Sequence, residues 1–288
     1  MKINTLFEQN RPTFSLEVFP PKRTDGVQKL YQTLGALKEI HPDFISVTYG
    51  AGGGEAGGTT CEIASYIKNQ LNVEPLAHTT CVNATREQLL ENLHHLQQNN
   101  IENVLALRGD LPDDQPLTGS FTHASDLARL IRENSAMNVV GACYPEGHYE
   151  NKNLDEDIEN LRYKLDEGVT HLITQLFFDN SKFYTFMEKL RAAGITVPVE
   201  AGIMPIVTTR QIERTVALSG ASLPTDFTRM VSRYSRNPEA LYHAGIAYAI
   251  EQCCELLENG AQGIHIYTMN NAKVAGAVYE GVKAALGR

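Results

Sequence analysis

The chain has 288 residues, of which 42% are hydrophobic and 20% are charged, and its formal net charge is -9. This length suits one α/β domain over residues 1–288, and the negative charge argues against partners such as nucleic acid or an anionic membrane. The sequence contains no apolar run of the roughly 18 residues that span a membrane, no signal-like start and no CxxC pair among its five cysteines, so we expect a cytoplasmic protein with reduced thiols.

Short β-rich runs alternate with amphipathic helical patterns along the chain. The predicted strands cover residues 13–19, 44–50, 74–82, 103–109, 138–145, 171–178, 198–205 and 263–269. Between them, apolar residues recur at three- and four-residue spacing, as in Leu30, Leu34 and Leu37, which is typical of a helix with one buried face. Strands that alternate with helices pair in parallel through right-handed crossovers. The sequence therefore predicts a single-domain (β/α)8 TIM barrel.

A carboxylate stands near the end of the first predicted strand. Glu17 lies in an apolar run that two prolines, Pro20 and Pro21, bring to an end. A solvated edge-strand glutamate is the plain alternative. In a barrel, however, the C-terminal strand ends and the loops after them carry the catalytic groups, so we interpret Glu17 as a candidate catalytic residue.

Other strand ends are rich in polar and ionisable residues, including Thr48, His78, Asp110 and Gln175. Carboxylates on different strands, such as Glu17 and Asp110, are the groups that proton transfer near neutral pH uses. No metal-ligand spacing occurs among the nine histidines, so no metal site is predicted. The sequence thus predicts an active site at the C-terminal face of the barrel.

Residues 52–57, Gly-Gly-Gly-Glu-Ala-Gly, formally match the dinucleotide fingerprint GxGxxG. A Rossmann domain is disfavoured because the match falls in the second strand-helix unit rather than in the first. A glycine-rich loop also arises where the backbone must approach a ligand closely, and that interpretation suits a barrel.

Seven motifs occur in one order from residue 13 to residue 271. They are FSLEVFPP at 14–21, VTYGA at 47–51, LRGDLP at 107–112, YPE with His148 at 144–148, ITQ with FFD at 173–179, GIMP at 202–205 and YTMN at 267–270. Together they resemble the bacterial methylenetetrahydrofolate reductase family. The resemblance implies a homo-oligomeric FAD enzyme that uses NADH or NADPH to reduce 5,10-methylenetetrahydrofolate to 5-methyltetrahydrofolate, with both substrates reacting in turn at one site.

The resemblance also implies roles for individual residues. Glu17 resembles the general acid that protonates N10 of the folate, and Asp110 the carboxylate beside the pterin and the flavin. The positions that resemble cofactor contacts are Thr48, Tyr49, Ala51, His78, Arg108, Gly109, Asp110, Ala124, Tyr144, His148, Asp157, Asn160 and Lys164. The positions that resemble substrate contacts are Asp110, Gln175 and Gln211. Asn271 stands where the family often has an arginine for the folate tail, and Lys273 is the nearby cation expected to replace it.

Two alternatives remain at this stage. Another flavin-dependent barrel oxidoreductase would bind flavin without turning over the folate, whereas a pterin-binding barrel methyltransferase or folate-binding protein would be colourless. The sequence leaves the choice between NADH and NADPH open, because no pocket for a 2'-phosphate is legible in it.

Overall fold

The computed structural model describes residues 1–9, 11–21, 26–49, 56–110 and 119–288. Eight parallel strands close into a barrel in chain order, which confirms the predicted (β/α)8 fold. The strands are β1 Thr13–Val18, β2 Phe44–Val47, β3 Glu74–Thr80, β4 Asn103–Leu107, β5 Asn138–Cys143, β6 Val169–Thr174, β7 Val199–Ile203 and β8 Gly263–Tyr267.

Helices surround the barrel, and a short 3-10 helix, Ile3–Glu8, precedes β1. The α-helices are α1 Val27–Lys38, α2 Ala56–Asn69, α3 Arg86–Gln98, α4 Ala124–Asn134, α5 Leu154–Asp166, α6 Asn180–Ala192, α7 Thr209–Ser219, α8 Thr225–Tyr234, α9 Pro238–Glu258 and α10 Ala272–Val282. The buried face of α1 consists of Leu30, Leu34 and Leu37, as their spacing predicts. The extra sequence before α9 forms α8.

Every strand ends earlier than predicted, by between one and four residues. The sequence predictions carried the strands into loops that also hold hydrophobic or aromatic side chains. After β4 and β8 the backbone turns into the left-handed region, at Gly109 with φ 93° and at Met269 with φ 50°. After β5 and β7, Pro145 and Pro205 have no N–H to give to a ladder. The residues predicted at the strand ends therefore lie in the loops above the barrel.

The largest difference concerns β6, which was predicted over residues 171–178 and runs over Val169–Thr174. Leu176 and Phe178 read as strand residues because they are apolar, but they lie in the loop after β6. They are buried there with Phe227 of α8, and the Phe178 and Phe227 rings stack at a centroid distance of 4.4 Å. Tertiary packing against α8 replaces the ladder that the apolar pattern suggested.

Two apolar layers hold the barrel. Outward side chains such as Leu16 and Ile45 pack against the surrounding helices. A second cluster fills part of the barrel interior with Phe44, Leu76, Leu105, Val140 and Ile173. Ile3 and Leu6 join that cluster from the 3-10 helix, and the N–H of Ile3 donates to Asn103 Oδ1 at the start of β4 over 2.8 Å. The 3-10 helix therefore covers the N-terminal end of the barrel and leaves the opposite end for the site.

The five cysteines are not paired with one another, and four of them are buried. Within the described ranges, no helix is both long and apolar enough to cross a membrane. The same part of the chain holds no group of three or more His, Cys, Asp or Glu side chains arranged to bind a metal ion.

Candidate active site

Glu17 lies at the mouth of the barrel with its side chain 18% exposed, beside two imidazoles. Its Oε2 atom is 3.5 Å from Nε2 of His78 on β3 and 3.7 Å from Nε2 of His265 on β8. We call Glu17, His78 and His265 the acid cluster. Burial lowers the pKa of His78 to about 4, although the Glu17 carboxylate opposes this. His78 is therefore neutral at pH 7, and its contact with Glu17 is not an ion pair.

Strand register brings this cluster together. In the parallel ladder between β1 and β8, Ser15 pairs with His265 and Glu17 pairs with Tyr267. Because side chains alternate between the two faces of a strand, Ser15 and Glu17 point to the same side of β1. Sequence reasoning missed Ser15 and His265 because it considered only the strand ends. The alternation in Gly-Ile-His-Ile-Tyr at 263–267 was the available signal for His265.

A buried polar column continues below the acid cluster. Ser15 Oγ lies 2.7 Å from His265 Nδ1 and donates to Glu200 Oε1 over 3.1 Å. Thr13 Oγ1 donates to the same Glu200 oxygen over 2.6 Å. Glu200 is fully buried on β7, and its Oε2 atom has no hydrogen-bond partner among the described residues. Burial raises the pKa of Glu200 to about 7, against the opposing effects of His265 and the two hydroxyls.

Two glycines make room for polar contacts inside the barrel. A Cβ at Gly263 would lie 2.0 Å from Thr13 Oγ1 and 3.0 Å from Glu200 Oε1, so only glycine leaves space for their hydrogen bond. A Cβ at Gly202 would lie 2.8 Å from the Tyr267 hydroxyl, which donates to the carbonyl of Thr174 over 2.6 Å. Glu200 was also missed, although a charged residue inside the strand predicted at 198–205 was a visible signal.

A second group of predicted residues meets beyond β4 and β5. The guanidinium of Arg108 donates twice to Glu150, over 2.6 and 2.9 Å, and this pairing raises the pKa of Arg108. His148 lies close to the same carboxylate, with its Nδ1 atom 3.9 Å from Glu150 Oε2. The His148 ring meets the Tyr144 ring edge to face at a centroid distance of 4.8 Å. We call Arg108, Tyr144, His148, Asp157 and Lys164 the basic cluster.

The remaining members of the basic cluster come from α5. Lys164 donates to the carbonyl of Ala142 over 2.9 Å, and burial lowers its pKa. Asp157 accepts from Asn151 over 2.6 Å through Oδ1, whereas its Oδ2 is buried without a partner among the described residues. Burial raises the pKa of Asp157, against the attraction of Lys164. Asn160 is exposed and donates to Asn151 over 3.1 Å, so Asn151 links the two predicted positions.

The other predicted strand-end residues surround the mouth without joining either cluster directly. Thr48 and Tyr49 follow β2 and are half-buried, and burial raises the pKa of Tyr49. Asp110 is exposed three residues after β4. Burial raises the pKa of Tyr144 to about 12, and the charge of Asp110 adds to that shift. Gln175 follows β6, where its side-chain oxygen accepts from the N–H of Leu176 over 3.0 Å. Ala124 is half-buried at the start of α4.

The predicted contacts on the substrate side are mostly at helix N-termini. The side-chain oxygen of Gln211 accepts from the N–H of Val207 over 2.9 Å at the start of α7. Asn271 is the N-cap of α10 and accepts from the N–H of Val274 over 3.3 Å. This cap explains why an asparagine suits position 271. Lys273 is exposed in the first turn of the same helix, and Ala51 lies outside the described residues.

Comparisons with known proteins agree on one family. The family model described as methylenetetrahydrofolate reductase matches residues 2–283. An Arabidopsis thaliana methylenetetrahydrofolate reductase (NADH) is 36% identical over 289 residues, covering 95% of this chain and 49% of the relative. A 5,10-methylenetetrahydrofolate reductase from Pectobacterium carotovorum is 33% identical over 270 residues, covering 94% and 90%. The chain thus spans about half the length of the plant relative and nine tenths of the bacterial one.

Solved structures show the same fold at low identity. A Clostridium thermocellum protein that binds two copies of 5-methyl-5,6,7,8-tetrahydrofolic acid aligns with a TM-score of 0.67 at 12% identity, over 100% of both chains. A putative dihydrodipicolinate synthetase from Pseudomonas aeruginosa aligns with a TM-score of 0.52 at 14% identity, over 96% of this chain and 80% of the other.

Proposed function

The chain belongs to the methylenetetrahydrofolate reductase family, and we propose that it reduces 5,10-methylenetetrahydrofolate to 5-methyltetrahydrofolate with FAD as cofactor and NADH or NADPH as electron donor. The observation that carries the proposal is the acid cluster, in which Glu17 stands at the open end of the barrel beside His78 and His265. This reaction requires an acid at the reacting end of the folate, and the family places that acid at the Glu17 position.

Glu17 is the proposed general acid. Protonation of N10 opens the five-membered ring of the folate and leaves a cationic iminium carbon that accepts a hydride. Glu17 suits this role because its backbone is held firmly while its carboxyl group reaches the mouth. The carbonyl of Glu17 accepts from the Thr268 hydroxyl over 2.6 Å, which ties the end of β1 to the end of β8. Asp110, exposed at the mouth, supplies a negative charge that favours the cationic iminium.

The basic cluster supports binding of FAD. Arg108 and Lys164 are cations suited to the pyrophosphate, and His148 and Tyr144 offer donors and aromatic surface beside them. The Oδ2 atom of Asp157, which has no hydrogen-bond partner among the described residues, is a buried acceptor that a hydroxyl group of the ligand would satisfy. When bound, FAD supplies the hydride transfer between the nicotinamide and the folate. Thr48, Tyr49, Gly109, Ala124 and Asn160 complete the proposed contact set, together with His78, Asp110 and Ala51.

Glu150 changes how Arg108 would meet the cofactor. The bidentate pair occupies both terminal nitrogens of Arg108 with a carboxylate. A phosphate group offers Arg108 the same kind of partner, so the pyrophosphate and Glu150 compete for one guanidinium. Glu150 is exposed, and it can leave Arg108 without being buried unpaired.

Gln175 is the proposed ligand that the folate and the nicotinamide share in turn, which gives ping-pong kinetics. Gln211, Asn271 and Lys273 are the proposed contacts on the folate side. Of these three, Lys273 alone carries a charge, and it is exposed in the first turn of α10. It is therefore the proposed partner for the carboxylates of the folate tail, where Asn271 has taken the arginine position.

The five free cysteines support the reducing cytoplasm as the compartment. Assembly into a homo-oligomer and a role in supplying methyl groups for methionine synthesis are further parts of the proposal that follow from the family.

The test begins with the absorption spectrum of the purified chain, which we expect to show bound oxidised flavin. Anaerobic mixing with NADH or NADPH should bleach that absorption, and the faster donor identifies the preferred nicotinamide. Subsequent mixing with methylenetetrahydrofolate should restore the absorption. A colourless protein would favour the methyltransferase or folate-binding alternative. Bleaching without recovery by the folate would favour another flavin-dependent oxidoreductase.

A further inference from the structure

The hydroxyl group of Ser15 stands between Glu200 and His265 and has one hydrogen to give. Its oxygen is 3.1 Å from Glu200 Oε1 and 2.7 Å from His265 Nδ1. As a carboxylate, Glu200 can only accept, and its Oε1 atom receives hydrogen bonds from both Thr13 and Ser15. Because the Ser15 hydrogen then points to Glu200, the Ser15 oxygen must accept the hydrogen of His265 Nδ1.

We infer that Glu200 is a positioning residue that acts through Ser15 to keep a hydrogen on Nδ1 of His265, which makes Nε2 of His265 an acceptor facing Glu17. The Nε2 atom lies 3.7 Å from Glu17 Oε2 and 3.5 Å from the hydroxyl oxygen of Ser46. The hydrogen-bonded residues below Glu17 are all no more than 1% exposed; they are Thr13, Ser15, Glu200, Ser46 and His265. Bulk water is therefore a poor competitor for these hydrogen bonds.

The tautomer decides whether His265 presents an acceptor or a donor to the Glu17 carboxyl. With the hydrogen on Nδ1, Nε2 of His265 has a free lone pair, and a protonated Glu17 carboxyl, whose Oε2 atom is 3.7 Å away, can donate toward it. That carboxyl gives its own proton to N10 of the folate and is left as a carboxylate, to be protonated again from solvent. With the hydrogen on Nε2 instead, the neutral imidazole is a donor and faces the Glu17 carboxylate, which has no proton to give. The consequence for catalysis rests on the proposed role of Glu17, but the tautomer itself does not.

The contacts of Glu200 hold its carboxyl group beside Ser15. The glycine at 263 leaves space for the Thr13 contact, and no Lys or Arg hydrogen-bonds or ion-pairs with Glu200 in the described chain. The ionisable groups whose charges act on Glu200 are His265, Tyr267 and Asp43, and Asp43 is paired with Arg11 and Arg288. Ser15 is thus the direct route by which Glu200 reaches His265.

The experiment measures the hydrogen on Nδ1 by ¹⁵N NMR of the full chain, labelled in its nine histidines. Spectra are recorded at about pH 8, where Glu200 is mostly ionised. The signals of His265 are identified by their loss in His265→Gln. We expect a protonated Nδ1 in the parent chain. A His265 Nδ1 without hydrogen in the parent would overturn the inference by itself, whether or not any variant folds.

Two variants separate Glu200 from the rest of the column. Glu200→Met removes the acceptor, so Ser15 should donate to Nδ1 and the hydrogen of His265 should move to Nε2. Thr13→Val removes the other hydrogen bond of Glu200 but keeps the link through Ser15, and it should keep the parent tautomer. Retention of the Nδ1 hydrogen in Glu200→Met would contradict the inference.

Kinetics then test the consequence. In Glu200→Met, reoxidation of the reduced flavin by methylenetetrahydrofolate should slow by about tenfold or more, a part of the 10²–10⁴-fold that a positioned acid contributes. Reduction by the nicotinamide should stay at the parent rate, because it needs no acid on the folate side. An unchanged rate of reoxidation with a changed tautomer would show that Glu200 does not act on Glu17. A parent chain that never turns over the folate would instead contradict the proposed function and leave the NMR result valid.

Discussion

One side of the barrel interior is lined by apolar side chains, and the other side is lined by polar ones. On one side Phe44, Leu76, Leu105, Val140 and Ile173 form a buried apolar cluster from β2 to β6. On the other side, β1, β7 and β8 contribute the column of Thr13, Ser15, Glu200 and His265 below Glu17. Both sides belong to one closed sheet with parallel pairing throughout.

The apolar side of the interior stabilises the fold, whereas the polar side holds the groups around Glu17 at a cost in stability. Each apolar side chain removed from water contributes about 1.5–3 kcal/mol to folding. Burial of the Glu200 carboxyl works in the other direction, because within the described chain no Lys or Arg pairs with it and its Oε2 atom has no hydrogen-bond partner. The apolar side holds the barrel closed, and the polar side accepts a cost in stability to hold the groups around Glu17.

The largest effect should follow from Glu17→Gln, which keeps the size of the side chain but removes the proposed general acid. Flavin reoxidation by methylenetetrahydrofolate should fall by about 10²–10⁴-fold, whereas reduction by the nicotinamide should remain near normal. Stopped-flow absorbance of the two half-reactions measures both rates. Glu213→Gln, which alters an exposed carboxylate on α7, is the matched control and should change neither. Equal reoxidation rates in the parent and Glu17→Gln would assign the acid elsewhere.

On the apolar side, Leu105→Ala should lower the free energy of unfolding by about 2–5 kcal/mol, because it leaves a cavity in the cluster. Leu105 is only 5% exposed. Denaturant titration measures the loss, and the ratio of the two half-reaction rates should stay that of the parent in the folded protein. A selective loss of the folate half-reaction would show that the apolar side also affects the reaction, and not stability alone.

The pH dependence of stability sharpens the comparison. The pKa of Glu200 is raised from 4.5 to about 7, so the folded state binds this proton more tightly than the unfolded state. The stability that the folded state gains from protonated Glu200 is fully present below the pKa of this group in the unfolded chain. It is lost as the pH rises through about 7. Glu200→Gln removes this titration. Between about pH 4 and about pH 8, the parent should lose about 3 kcal/mol more than Glu200→Gln in urea unfolding. Parallel pH profiles would show that Glu200 does not carry this burial cost.

The smallest effect concerns the basic cluster, outside the barrel interior. Glu150→Gln should release Arg108 from its bidentate partner and tighten FAD binding by about two- to fivefold, since exposed ion pairs are worth about 0–1 kcal/mol. Flavin fluorescence during titration of the apoprotein measures the dissociation constant. Asp155→Asn, which removes an equal charge from the contact with Lys189 on α6, is the control. Weaker FAD binding in Glu150→Gln would mean that Glu150 orients Arg108 for the cofactor instead of competing with it.

The sequence by itself determined the barrel and placed a carboxylate, Glu17, near the end of its first strand. Eight β-rich runs alternating with helical patterns permit few topologies other than a parallel barrel, because the period of the apolar residues reports which face of each element is buried. The motif around Glu17 and the two prolines after it placed a carboxylate at a strand end. The positions resembling cofactor contacts, such as Arg108 and Lys164, were also legible, although their roles remain proposals.

Only the tertiary structure decided which groups surround Glu17. His265 lies 248 positions after Glu17 in the sequence. The register between β1 and β8 makes the two residues neighbours. Glu200 reads as an ordinary charged residue until β7 places it beside Thr13 and Ser15 inside the barrel. The pairing of Arg108 with Glu150 likewise depends on a loop that the motifs do not describe. Local patterns encode burial and turns, whereas contacts between distant strands depend on closure of the whole sheet.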